Sequence, residues 1–134
     1  MIEKFTVQTD GQGLVEITDR VRGALPTGAT ADGLCTLFLK HTSASLVIQE
    51  NAAPSARRDL EAWMNRLVEE GDDLYTHTAE GPDDMPAHIK AALTRTSTSI
   101  PVVGGELELG TWQGIFLWEH RRSGRRRELV VHVD

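Results

Sequence analysis

Cysteine is almost missing from this chain of 134 residues: Cys35 stands alone, which excludes an intramolecular disulfide and argues against a disulfide-built secreted scaffold. No apolar run approaches the roughly 18 residues that a membrane-spanning helix needs. The opening stretch MIEKFTVQT lacks the apolar core of a secretory signal. Glycine-rich loops of the G-x-G-x-x-G or G-x-x-x-x-G-K-[ST] kind do not occur, so classical dinucleotide and P-loop sites are excluded. There is also no G-x-S-x-G elbow for a nucleophilic serine. Basic residues are in deficit, 14 against 20 acidic ones, and the net charge of −6 opposes nonspecific attraction to nucleic acid or an anionic membrane. Internal repeats and low-complexity segments are absent. A cytoplasmic protein with neither nucleic acid nor membrane as partner is expected.

What remains is an ordinary globular composition, 40% apolar and 25% charged. At this length it forms one domain, residues 1–134, able to bury roughly two-thirds of its unfolded surface. IEKFTVQT and LVEIT read as two strands of a hairpin broken by Gly11 and Gly13. DRVRGAL is at most a short helix, with Thr18 or Asp19 available as its cap. In LCTLFLKH, alternation puts Cys35, Leu37, Leu39 and His41 on one face; in SLVIQE it aligns Leu46, Ile48 and Glu50. Cys35 reads as a buried core thiol. PSARRDLEAWMNRLVEEG carries Ala56, Leu60, Trp63, Met64, Leu67 and Val68 at helical spacing, from Pro54 in the first turn to Gly71 at the stop. A second helix is expected near Pro86, with Asp84 as its cap. The rest is β: a hairpin about Gly104–Gly105, a bulge framed by Gly110 and Gly114, the strand IFLWEH, a turn RRSGRRR and a last strand. Because Ile115 and Leu117 alternate with Phe116 and Trp118, that strand needs cover on both faces, from a second layer or another subunit. The expected class is α+β, a mainly antiparallel sandwich-like core with two inserted helices.

The densest chemistry lies in HTAEGPDDMPAHIK, residues 77–90, where two imidazoles and three carboxylates sit among Gly81, Pro82 and Pro86. His41, His77 and His88 would make a three-histidine metal site with one open position. Their spacing matches no compact motif, and each ring could instead cap a loop. Glu80 and Asp84 could ligate the metal directly, orient an imidazole or take a proton from bound water, while Asp83 reads as a solvated turn residue. Glu50, at the rim of an apolar face, is a further acid–base candidate. RRSGRRR packs five arginines into seven residues, suiting either phosphates or a solvated turn; Arg121, nearest the strand, is the most apt to point inward. Lys90 is another candidate cation, Ser43 lies beside His41, and Trp112 either plugs the core or lines a pocket. His120 and His132 read as ordinary strand residues.

Three blocks, HTSASLVIQEN (41–51), HTAEGPDDMPAHIK (77–90) and LELGTWQGIFLWEHR (107–121), resemble the signature segments of the YjbQ-like family, also called secondary thiamine-phosphate synthases. The resemblance runs over essentially the whole chain. It implies a β-sandwich-like α+β fold, a homotrimer, and a divalent metal, zinc by preference, on His41, His77 and His88. Beside such a metal, Glu50, Glu80 and Asp84 stand as the candidate catalytic residues. Ser43, Asn51, Lys90, Trp112, Gln113 and Arg121 become candidates for binding a small phosphorylated substrate. The implied reaction joins a hydroxymethylpyrimidine pyrophosphate to a thiazole phosphate, a weak activity in which Arg121, Lys90 and the metal would assist the leaving group and Trp112 the pyrimidine. Two other readings stay open: a non-catalytic module holding a metal or anionic metabolite, and an ion that merely staples a trimer. Arg125, Arg126 and Arg127 fall outside the shared blocks.

Overall fold

The structure is a computed structural model and describes residues 1–28 and 30–134. Its strands are β1 (Ile2–Gln8), β2 (Gly11–Glu16), β3 (Gly33–Leu39), β4 (Ala44–Glu50), β5 (Ser97–Val103), β6 (Glu106–Leu107), β7 (Gln113–Ser123) and β8 (Arg126–Val133). The helices are α1 (Thr18–Ala24), α2 (Pro54–Leu67) and α3 (Asp84–Leu93). The strands form two antiparallel sheets, ordered β1-β8-β3-β5-β6 and β2-β7-β4. This is the α+β, sandwich-like arrangement expected, with a short third helix.

β7 shows why the fold is layered. Its inner residues Ile115 and Leu117 pack with Leu37, Leu39, Leu46, Leu129 and Val131 from both sheets. Phe116 and Trp118, pointing the other way, pack with Leu14, Met64 and Val68 beneath α2, with Ile89 of α3 at the margin. Each large apolar side chain so buried contributes on the order of 2 kcal/mol. The same chain therefore covers both faces, and this strand gives no reason to invoke another subunit.

Four expectations about elements need correction. Asp84 does not cap α3, which starts at Asp84 itself, with Asp83 in the N-cap position and no side-chain cap hydrogen bond. β1 and β2 are not a hairpin: β1 pairs with β8 and β2 with β7, so the chain changes sheets at Thr9–Asp10. β7 and β8 change sheets at the same corner, where Thr9 N–H donates to the Arg125 carbonyl at 2.9 Å. Gly124 is needed there, because an added Cβ would lie 2.1 Å from the Thr9 carbonyl oxygen. Neither Thr18 nor Asp19 caps α1, which starts at Thr18 itself; the Thr18 hydroxyl donates to Glu16 and accepts from the Ile115 N–H. Trp63 is not core: the apolar stripe of α2 is wider than the surface it covers, so Met64 and Val68 go under while Trp63 and Leu67 stay about half exposed.

Candidate functional site

The segment 77–90 folds back on itself as its breakers suggest. After α2, Gly71 turns at φ 77° and Gly81 at φ 109°, both in the region that favours glycine. Asp72 takes the Leu74 N–H on its side chain, and the Thr78 carbonyl takes the Gly81 N–H. Pro86 falls in the first turn of α3, where its missing N–H costs nothing. On α3, Asp84 and His88 are four residues apart and share a face. The preceding loop brings His77 to the same point.

The result is a compact cluster. Asp84 Oδ2 lies 2.9 Å from His77 Nε2 and 3.1 Å from His88 Nε2, and the two ring centroids are 5.4 Å apart. One ligand-type atom from each of the three residues falls within 4.8 Å of the others. His88 Nδ1 donates to the Thr42 carbonyl at 2.8 Å, which fixes its tautomer with Nε2 facing inward. A neutral His88 would then set an Nε2 lone pair against a carboxylate oxygen. Something positive must lie between them, either a second proton or a metal cation. A ring that gives its outer N–H to a backbone carbonyl is the usual posture of a metal-ligating histidine. Two imidazoles and one carboxylate are also the donors of open zinc and non-haem iron sites, so the residues fit a divalent transition metal.

Arg121 organises the carboxylates. Its Nε donates to Asp83 Oδ2 at 2.9 Å, its Nη1 to Asp84 Oδ1 at 2.8 Å, and its Nη2 to the Glu80 carbonyl at 3.0 Å. The Arg122 N–H adds a bond to Asp83 at 2.9 Å. Burial pushes the proton affinity of Asp83 up, but the Arg121 and Arg122 hydrogen bonds outweigh it and hold the carboxyl at about 2. Asp84 is likewise held below the usual range: burial acts against it, while the His77 hydrogen bond and the His88 and Arg121 charges prevail. A cavity of about 460 Å³, lined by Asp72, Tyr75, His77, Thr78, Pro82 and Met85 among others, opens beside the cluster. A larger hollow of about 680 Å³ between the loop after α1 and the Gly104–Gly105 turn shares none of its residues.

Several candidates go elsewhere. His41 does not join the other two histidines: its Nε2 accepts the Glu128 N–H at 2.8 Å, and Asp84 takes the third place. Burial, then the Arg127 charge, lowers the proton affinity of His41 and suits it to that acceptor role. Glu80 contributes its backbone carbonyl while its side chain stays exposed. Ser43 is buried and accepts from Arg127 Nη2 at 3.0 Å. Lys90 is only 3% exposed and donates to Asn65 Oδ1 at 2.6 Å, so it is closed to a substrate. Arg121, with all three nitrogens engaged, is closed likewise.

Glu50, Asn51, Trp112 and Gln113 lie at the wrong end of the sheet. Ala44 pairs with Glu119 and Glu50 with Gln113, so the length of β4, roughly 20 Å, separates them from the cluster within one chain. There Glu50 is exposed and accepts the Ala53 N–H at the start of α2 instead of being buried. Asn51 donates to Glu16 at 3.0 Å, and Gln113 accepts the Gly110 N–H at 2.7 Å. Trp112, 65% exposed, neither plugs the core nor lines a described cavity.

Sequence reasoning missed other residues. Asp83 is a partner of Arg121 and not a solvated turn. Arg127 is no hairpin surface residue: buried, it pairs through Nη2 and Nε with the fully buried Glu119, which also accepts from Thr9 at 2.7 Å. Its position two residues before Leu129 and four before Val131, on one inward face, was the available signal. His120 is buried as well, with Nε2 2.8 Å from Ser45 Oγ.

A small antiparallel sandwich that presents an open two-histidine, one-carboxylate cluster defines the class. Within it, the chain matches the family model described as "UPF0047 protein YjbQ-like" over residues 3–134, and it belongs to that family. It is 49% identical over 132 residues to the UPF0047 protein sll1880 of Synechocystis, covering 98% of this chain and 90% of that one. It is 40% identical over 131 residues to the UPF0047 protein YjbQ of Escherichia coli O157:H7, covering 97% and 94%. A YjbQ/UPF0047 family protein from Clostridium acetobutylicum superposes with a TM-score of 0.89 at 34% identity, covering 98% and 99%. The conserved hypothetical protein TT1486 of Thermus thermophilus gives 0.88 at 33%, with the same coverage.

Proposed function

We propose that the protein is a metal-dependent enzyme in which His77, Asp84 and His88 hold a divalent ion, by preference zinc, for work on a small phosphorylated substrate. The observation that carries this reading is His88, both of whose ring nitrogens face acceptors, Thr42 O at 2.8 Å and Asp84 Oδ2 at 3.1 Å. When bound, such an ion supplies Lewis-acid stabilisation of a phosphoryl or leaving-group oxygen. Asp83, Asp84 and Arg121, the charged groups of the cluster itself, sum to −1, so a dication would leave that cluster at +1 toward an anion, with Asp72 and Asp73 lining the cavity beside it. With Arg121 and Lys90 occupied, the ion is the substrate's main source of positive charge.

A weak thiamine-phosphate synthase reaction is the specific activity proposed. Its test is thiamine phosphate formation from the two precursors by wild type and Asp84→Asn. Turnover should fall at least 100-fold in the variant; equal turnover would assign the activity to something other than this site. The alternative, a non-catalytic module holding a metal or anionic metabolite, is favoured by one observation. The Glu50 carboxylate is held at the start of α2, away from the cluster, and the Glu80 side chain is exposed to solvent, so neither is fixed in place as a general base. Tight phosphate binding without turnover would support it. No described helix is long and apolar enough to cross a membrane. A cytoplasmic setting is proposed from the lone buried Cys35, and a homotrimer from the exposed Leu34 and Phe38 on the outer face of the five-stranded sheet.

A further inference from the structure

We propose that Arg121 sets the charge of the metal site: it restricts Asp84 to one free carboxylate oxygen and keeps the loaded site net positive, so that it captures an anion. The inference rests on the metal reading above and concerns how that site is tuned. Arg121 is only 8% exposed and its three nitrogens are each taken, at 2.9, 2.8 and 3.0 Å, so it is a positioning residue and not a substrate ligand. Because Nη1 occupies Oδ1 of Asp84, only Oδ2 faces the imidazoles. The fork also neutralises one of two adjacent carboxylates that are otherwise shielded from water, with side chains 12% and 2% exposed.

Removing the guanidinium would have two consequences with one sign. Oδ1 would become available as a further donor, and Asp83 and Asp84 would repel each other until a cation relieved them. Arg121→Met should therefore bind Zn²⁺ more tightly, not less. The loaded site would fall from a net +1 to neutral and lose its hold on an anion. Asp83→Asn removes a negative charge from the same group and should act in the opposite sense.

The test is chelator competition for Zn²⁺, followed by titration of the Zn²⁺-loaded protein with inorganic phosphate, on wild type and three variants. Arg121→Met is expected to bind Zn²⁺ at least tenfold tighter and phosphate at least tenfold weaker. Asp83→Asn should bind Zn²⁺ weaker and phosphate tighter, and Arg121→Lys should stay close to wild type. If Arg121 only props the fold, Arg121→Met loses affinity for both ligands and the proposal is overturned. Should Arg121→Met fail to fold, Asp83→Asn decides alone: opposite shifts sustain the proposal, and parallel or absent shifts overturn it. A wild-type protein that takes up no Zn²⁺ overturns the metal reading first and this inference with it. One that loads Zn²⁺ while the variants fail to show opposed shifts overturns only the role of Arg121.

Discussion

Next to Arg121 on β7 sit two buried polar groups, His120 and the Glu119–Arg127 pair, the second tied to the cluster by the Arg121 N–H, which donates to Glu119 Oε2 at 3.1 Å. His120 is 1% exposed, and burial, followed by the Lys90 and Arg127 charges, pushes its imidazole down to about 3 from an ordinary 6.5. The unfolded chain thus binds a proton that the folded one refuses. The stability so conferred is complete above about pH 6.5 and is lost as pH falls toward 3, at roughly 1.4 kcal/mol per pH unit. Unfolding free energies from urea titrations should fall with this slope in wild type and more shallowly in His120→Gln; parallel curves would refute the assignment. Glu119 and Arg127 form the second group, and Glu119→Gln, which weakens a buried ion pair, should cost about 3 kcal/mol in the same assay. At this scale the sequence was partly legible. His77, Asp84 and His88 were recognisable because helical spacing and loop breakers predict their convergence. His41 was not, because the chain leaves β3 at Leu39 and turns before Ser43, so alternation no longer governs where that ring points.

Among the elements, the corner shared by Thr9 and Gly124 matters most, since two chain segments change sheets there. Gly124→Ala drives a Cβ against the backbone of the neighbouring crossing, which no side-chain rotation can relieve. A loss of about 2 kcal/mol is expected in denaturant melts, with β1–β8 and β2–β7 amides losing protection together in hydrogen exchange. Unchanged stability would mean that the corner yields easily. Strand existence was readable from period-two patterning in LCTLFLK, SLVIQE and IFLWEH. Strand partnership was not: two neighbouring strands joined by a glycine-rich turn pair locally unless distant strands compete, and here β8 and β7 win. The same limit explains Arg127, whose arginine-rich surroundings suggested solvent although its alternation with Leu129 pointed inward. Trp63 was misplaced for a different reason, because helical period shows that a stripe exists and not how much of it a sheet can cover.

Over the whole molecule, the two halves of the candidate site separate to opposite ends of β4. The His77–Asp84–His88 cluster at one end is coherent, while Trp112, Asn51 and Gln113 lie at the other, the last two held by their own hydrogen bonds. The outer face of the five-stranded sheet carries Leu34 at 41% and Phe38 at 48% exposure, and no described helix lies across it. If the proposed homotrimer uses that face, light scattering should give three times the 14.8 kDa chain mass for wild type and a smaller species for Phe38→Glu. A trimer indifferent to Phe38→Glu would place the interface elsewhere. Whether the cluster holds an ion decides the central claim, and elemental analysis of purified wild type and Asp84→Ala is the most direct measurement. It should find close to one equivalent of a divalent transition metal per chain in the first and very little in the second. Equal metal content in the two, or none in wild type after incubation with Zn²⁺, would contradict it.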